Sequence, residues 1–99
     1  MTNKKNKQIL LPLLVCCVLS ALGCASAPVQ QMSDARQAIL AASQLGGEQR
    51  APQQMLAART TLTQAETALR NRQFKQARAA AEQARELAIA IQKQINQGP

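Results

Sequence analysis

Phe74-Lys75-Gln76-Ala77-Arg78-Ala79-Ala80-Ala81-Glu82-Gln83-Ala84-Arg85-Glu86-Leu87-Ala88-Ile89-Ala90-Ile91-Gln92-Lys93-Gln94-Ile95 is the stretch whose reading decides the fold. Phe74, Ala77, Ala81, Ala84, Ala88, Ile91 and Ile95 recur at steps of three and four. That spacing lines one face of a helix and makes a seam for a partner helix. Most of the remaining positions are Ala, Arg, Gln, Glu and Lys, residues with high helix propensity. Asn96-Gln97-Gly98-Pro99 terminates the run. A helix from Phe74 to about Ile95 is predicted.

Two shorter stripes precede it. Met32, Ala35, Ile39, Ala42 and Leu45 form the first, in a helix starting between Pro28 and Ser33. Pro28 suits a first helical position, and Ser33 followed by Asp34 is an alternative cap. Gly46-Gly47 ends this helix, because glycine readily takes the left-handed conformation that closes one. Glu48 to Ala51 then reads as a turn, and Pro52 opens a second helix striped by Met55, Ala58, Leu62, Ala65 and Leu69. Its register is lost at Asn71-Arg72-Gln73, where a tight turn is expected. Short connections make neighbouring helices antiparallel. The expected fold is therefore all-α, a short up-down-up three-helix bundle made of a helical hairpin and an N-terminal helix.

The composition agrees. Ninety-nine residues allow one small domain, and a body of this size is marginal without help. There is no Trp, Tyr or His, and Phe74 is the one aromatic residue. A core built largely from alanine must gain its stability from close helix packing and good helix propensity, since each buried methylene contributes only about 0.8 kcal/mol. The pattern Ala-Arg-x-x-apolar-x-x-apolar recurs from Ala35, Ala58, Ala77 and Ala84. Each Arg sits on the border of the apolar face, where its stem covers apolar surface while its head stays in water. The repeat reads either as one packing solution used several times or as arginines aimed at a partner.

Little in the chain points to a reaction. Asp34, Glu48, Glu66, Glu82 and Glu86 are the acids. Glu82 and Glu86 share a helix face, but neighbouring Arg78 and Arg85 account for them as surface pairs. No catalytic residue, no metal ligand set and no small-molecule substrate is expected, and no cofactor other than a covalent lipid on Cys24.

That lipid follows from the amino-terminal segment. Met1 to Lys7 is polar and carries three lysines, and Ile9 to Leu22 is an apolar run of fourteen residues containing Pro12. A membrane-spanning helix needs about 20 apolar residues, so the pattern is that of a signal peptide. The run closes on Ser20-Ala21-Leu22-Gly23-Cys24, which resembles the lipobox of bacterial lipoproteins. The resemblance implies cleavage between Gly23 and Cys24, diacylglycerol on the Cys24 sulfur and acylation of the new amino terminus. Ala25, where an Asp would retain the protein in the inner membrane, implies the outer membrane, periplasmic side. Cys16 and Cys17 would leave with the leader. The division expected is 1–23 signal peptide, 24–30 lipidated tether and 31–97 Ala-rich helical domain. Removing Lys4, Lys5 and Lys7 from the 12 cations leaves nine against five acids, a net charge of +4. An exported chain lacking aromatic stacking platforms is not expected to bind nucleic acid.

Cys24-Ala25-Ser26-Ala27-Pro28, a short Ala-rich helix, a glycine break, Ala51-Pro52 and two further Ala-rich helices resemble the small lipoproteins of domain-of-unknown-function family 4398. In those, a Gly-Asp-Tyr-like corner opens the last helix; here Arg72-Gln73-Phe74-Lys75-Gln76-Ala77 stands there without the glycine. Phe74, Ala77, Ala81 and Ala84 are also similar to half of one tetratricopeptide repeat. The resemblances imply a non-enzymatic envelope lipoprotein with a structural or interaction role, bound to the membrane through its anchor and partnered by an envelope protein. The alternative they imply is a tetratricopeptide-like adaptor for a peptide. Arg70, Arg72, Lys75 and Arg78 place four cations in nine residues at the expected turn. They read either as a solvated corner or as a contact for an anionic surface.

Overall fold

The computed structural model describes residues 27–98. Gly23, Cys24 and the leader lie outside the described residues. The described chain forms four helices, α1 Val29–Gln44, α2 Gly47–Arg50, α3 Pro52–Arg70 and α4 Phe74–Gln97, in an all-α bundle. The expected turn at Glu48 to Ala51 is thus partly helical: one short helix, α2, fills it. Likewise α1 takes in Val29 and Gln30, residues expected in the tether, and Ser33 lies inside the helix rather than at its cap. Pro28 supplies the entry to α1 and Pro52 the first turn of α3. No described helix has a side-chain hydrogen bond at its N-cap.

The decisive stretch sits at the centre. α4 packs against both α3 and α1, which touch one another far less. Its inner face is Ala77, Ala81, Ala84, Ala88 and Ile91, all buried, as the three-and-four spacing requires. Small side chains at every one of the first four positions permit close approach of the neighbouring helices. Met32, Ala35, Ile39 and Ala42 answer from α1, whereas Leu45, expected on the same stripe, lies past the helix end and is exposed. The seam of α3 differs slightly from expectation. Met55, Ala58, Thr61, Ala65 and Ala68 are buried, while Leu62 and Leu69 pack against the edge of the core. Close approach puts the smaller member of each adjacent pair on the contact line and the leucine beside it. The Thr61 hydroxyl satisfies itself by donating to the Ala57 carbonyl at 2.8 Å.

The two glycines of the α1–α2 corner have different duties. Gly46 has φ +85°, the left-handed conformation expected of a helix end. Gly47 is needed for space: a Cβ there would stand 2.8 Å from the Ala42 carbonyl oxygen and 2.7 Å from Met55 Sδ.

The register between α1 and α4 fixes which of their turns lie side by side. The Ala38 carbonyl accepts from Gln92 Nε2 at 2.9 Å, and Gln31 and Asp34 share a shallow depression with Glu82, Arg85 and Glu86. The start of α1 therefore lies beside the third turn of α4. Roughly six to nine residues of α4 run on past it, an overhang of about 9–13 Å at 1.5 Å per residue. In that overhang only α3 and α4 remain, closed on each other by buried Ala68 and Ala77, which stand outside the main core cluster.

Replacing Ala84 by Leu should cost about 1–3 kcal/mol through overpacking of this seam. A thermal melt followed by circular dichroism measures it, and a melting temperature at or above that of the wild type would remove Ala84 from the seam.

Candidate functional site

The tip of the α3–α4 hairpin carries the one dense cluster of like charge that the sequence singles out. Arg70, Arg72 and Lys75 are exposed around it, and Arg70 Nη2 donates to Thr67 Oγ1 at 3.1 Å. Arg78 is half-buried and engaged within the protein. The structure therefore gathers three of the four cations at the outer surface and turns the fourth partly inward.

The turn that presents them is a Schellman closure. Gln73 N–H donates to the Ala68 carbonyl at 2.8 Å and Arg72 N–H to the Leu69 carbonyl at 3.0 Å. The residue between the helix end and Gln73 must be left-handed, and Arg72 takes that conformation with φ +59°. The missing glycine of the corner is thus replaced by an arginine that bears the strain, of order 1–2 kcal/mol for a residue with a Cβ.

The recurring Ala-Arg arginines divide. Arg36 pairs with Glu66 at 3.8 Å across α1 and α3. Arg59 donates to Glu48, which also accepts from the Ser43 hydroxyl at 3.0 Å. The sequence places Glu48 only in a turn, yet the residue ties the end of α1 to the middle of α3. The Arg59 guanidinium, then its own backbone N–H and the Ser43 hydroxyl, hold its carboxyl below the ordinary carboxylate value. Nothing in the sequence spacing announces this contact, because it depends on α2 being helical.

Glu82 and Glu86 lie at the shallow depression they share with Arg85, Gln31 and Asp34. Among the described residues no three His, Cys, Asp or Glu side chains converge in a way that could hold a metal ion. No described helix is long and apolar enough to cross a membrane.

Comparison against protein families matches residues 30–96 to a domain of unknown function, DUF4398. The chain belongs to the DUF4398 family. The matched segment of this DUF4398 chain takes in nearly the whole bundle, from the first turn of α1 to the last of α4. No curated protein and no solved structure matches it.

Two substitutions test the geometry. Arg72→Gly should raise stability by about 0.5–1 kcal/mol, the relief of left-handed strain less the added freedom of the unfolded chain, read as a higher melting temperature. Glu48→Gln should lower the melting temperature at neutral pH. Because the folded carboxyl titrates below its unfolded value, the wild type's advantage is complete above the ordinary carboxylate range. It fades as pH falls through the folded value. Melts from pH 7 down to about pH 2 should show the two curves converging, and a gap that stays constant would detach Glu48 from the pairing.

Proposed function

We propose that this DUF4398 protein is a lipid-anchored envelope component whose helical domain has a non-enzymatic structural or protein-interaction role. Cys24 is the anchor, acylated after cleavage behind Gly23, and the domain stands on the periplasmic side of the outer membrane. The observation that carries this reading is the stretch Ser20-Ala21-Leu22-Gly23-Cys24, which resembles a lipobox, at the end of a fourteen-residue apolar run. Its position supports the reading a second way. α1 begins at Val29, so only four peptide steps separate Cys24 from Pro28 at the entry of the fold. A cleavage site that close to the domain leaves a short tether, and one acyl chain holds a protein only marginally whereas two or more hold it firmly.

The binding partners implied are the membrane, through the lipid on Cys24, and a protein of the envelope. Nucleic acid and a small-molecule substrate have no place in this reading, and the bound lipid is the only non-protein group it requires.

Mass spectrometry of the mature amino terminus is the direct test. The expected species begins at Cys24 and carries the mass of its acyl groups, and Cys24→Ser should accumulate with residues 1–23 still attached. An unmodified Cys24 in the mature chain would end the lipoprotein reading.

A further inference from the structure

The overhang of the α3–α4 hairpin and the length of the tether are matched, and together they say which part of the domain meets the bilayer. We propose that the hairpin tip is a second membrane contact, in which Arg70, Arg72 and Lys75 bind the phosphate groups of anionic lipid headgroups. This inference rests on the anchor proposed above. It adds an orientation and a chemistry that the anchor alone does not supply.

The entry to α1 and the turn between α3 and α4 lie at the same end of the bundle, since α1 runs antiparallel to α3 and alongside α4. Arg36 of α1 pairs with Glu66 near the end of α3, and Ala38 meets Gln92 near the end of α4. The tip extends beyond the start of α1 by about 9–13 Å. Four peptide steps from Cys24 to Pro28 span at most about 13–14 Å. With the Cys24 lipid at the membrane surface, four peptide steps are long enough to let the tip stand at headgroup level. A shorter tether would press the tip into the bilayer, and a much longer one would free it.

The chemistry of the tip suits that place. No acid occurs between Glu66 and Glu82, and Glu66 is taken up by Arg36. Arg72 occupies the left-handed position where glycine would cost nothing. Retaining a charged, strained residue at the outermost point of the hairpin is explained if the guanidinium itself is needed there. Each cation near an anionic surface strengthens association about fivefold, and the effect fades within a Debye length of roughly 8–10 Å. Three cations held at headgroup level amount to roughly a hundredfold.

The experiment uses the full mature lipoprotein, reconstituted in vesicles. Loss of the leader leaves no cysteine other than Cys24, so Asn71→Cys at the tip and Gln97→Cys at the far end each accept a single fluorescent label. Flotation of the vesicles first reports whether the chain is anchored at all. A chain that fails to float refutes the anchor and this inference together. For an anchored chain, headgroup-level quenchers then report the depth of each label in phosphatidylglycerol-containing and in purely zwitterionic vesicles. The expected result is quenching of the Asn71 label only, in anionic vesicles, weakened at high salt. Replacing Arg70, Arg72 and Lys75 together by Gln should lower the ratio of docked to lifted tips roughly a hundredfold, with flotation intact and circular dichroism confirming the helices. Equal quenching at both labels, or an Asn71 signal indifferent to lipid charge and to the triple substitution, would overturn the proposal while leaving the anchor standing. A triple variant that loses its helices is replaced in the assay by wild type titrated with salt, where absence of any salt dependence would overturn the proposal equally.

Discussion

Close contact between alanine methyls on α4 and the helices on either side is the constraint on which the rest of this structure depends. α4 has no bulky residue on its inner face between Ala77 and Ala88. The helices must come close for those methyls to leave water, and the short distance then dictates what else is permitted. Thr61 and Ala68 take the contact line of α3 while Leu62 and Leu69 move to its edge. Gly47 must lack a side chain so that Met55 can settle against it. An amide from Gln92 crosses to the Ala38 backbone and joins α4 to α1.

The three helices and their order were legible because the apolar stripes keep a strict three-and-four spacing, which only a helix can convert into one face. The corner at Gly46 was legible for a similar reason, glycine being the cheap residue for a left-handed backbone. Arg72 was not, because a residue-type signal fails when an unfavoured residue takes the conformation. The choice of Thr61 over Leu62 was hidden as well. Both fit the periodicity, and the decision belongs to the distance between axes, which no single helix encodes. Glu48 could be assigned its contacts only once the Gly47–Arg50 turn had closed into a helix. The overhang was invisible for the same kind of reason: the register of α1 along α4 arises from packing between elements far apart in sequence.

The candidate site divides in the same way. Four cations in nine residues could be counted from the chain. That three of them face outward at the extremity of a two-helix extension, with Arg78 drawn partly inward, is a property of the assembled bundle. The family match runs from residue 30 to residue 96 and leaves the role of the bundle to be argued from residues.

Alanine cannot fill volume, so the fold entrusts that task to very few side chains. Among the described residues Met32, Met55 and Ile91 are, with Pro28, the largest that are wholly enclosed, and two of those four are thioethers. Their flexibility lets them fill irregular gaps that a branched residue would not fit. The same choice gives the core a redox vulnerability. Oxidation of either sulfur would set a polar, chiral sulfoxide among methyl groups, in a domain too small to absorb the loss. Resistance to such oxidation is accordingly a question of how seldom the bundle opens, since only an opened bundle exposes Met32 and Met55 to an oxidant.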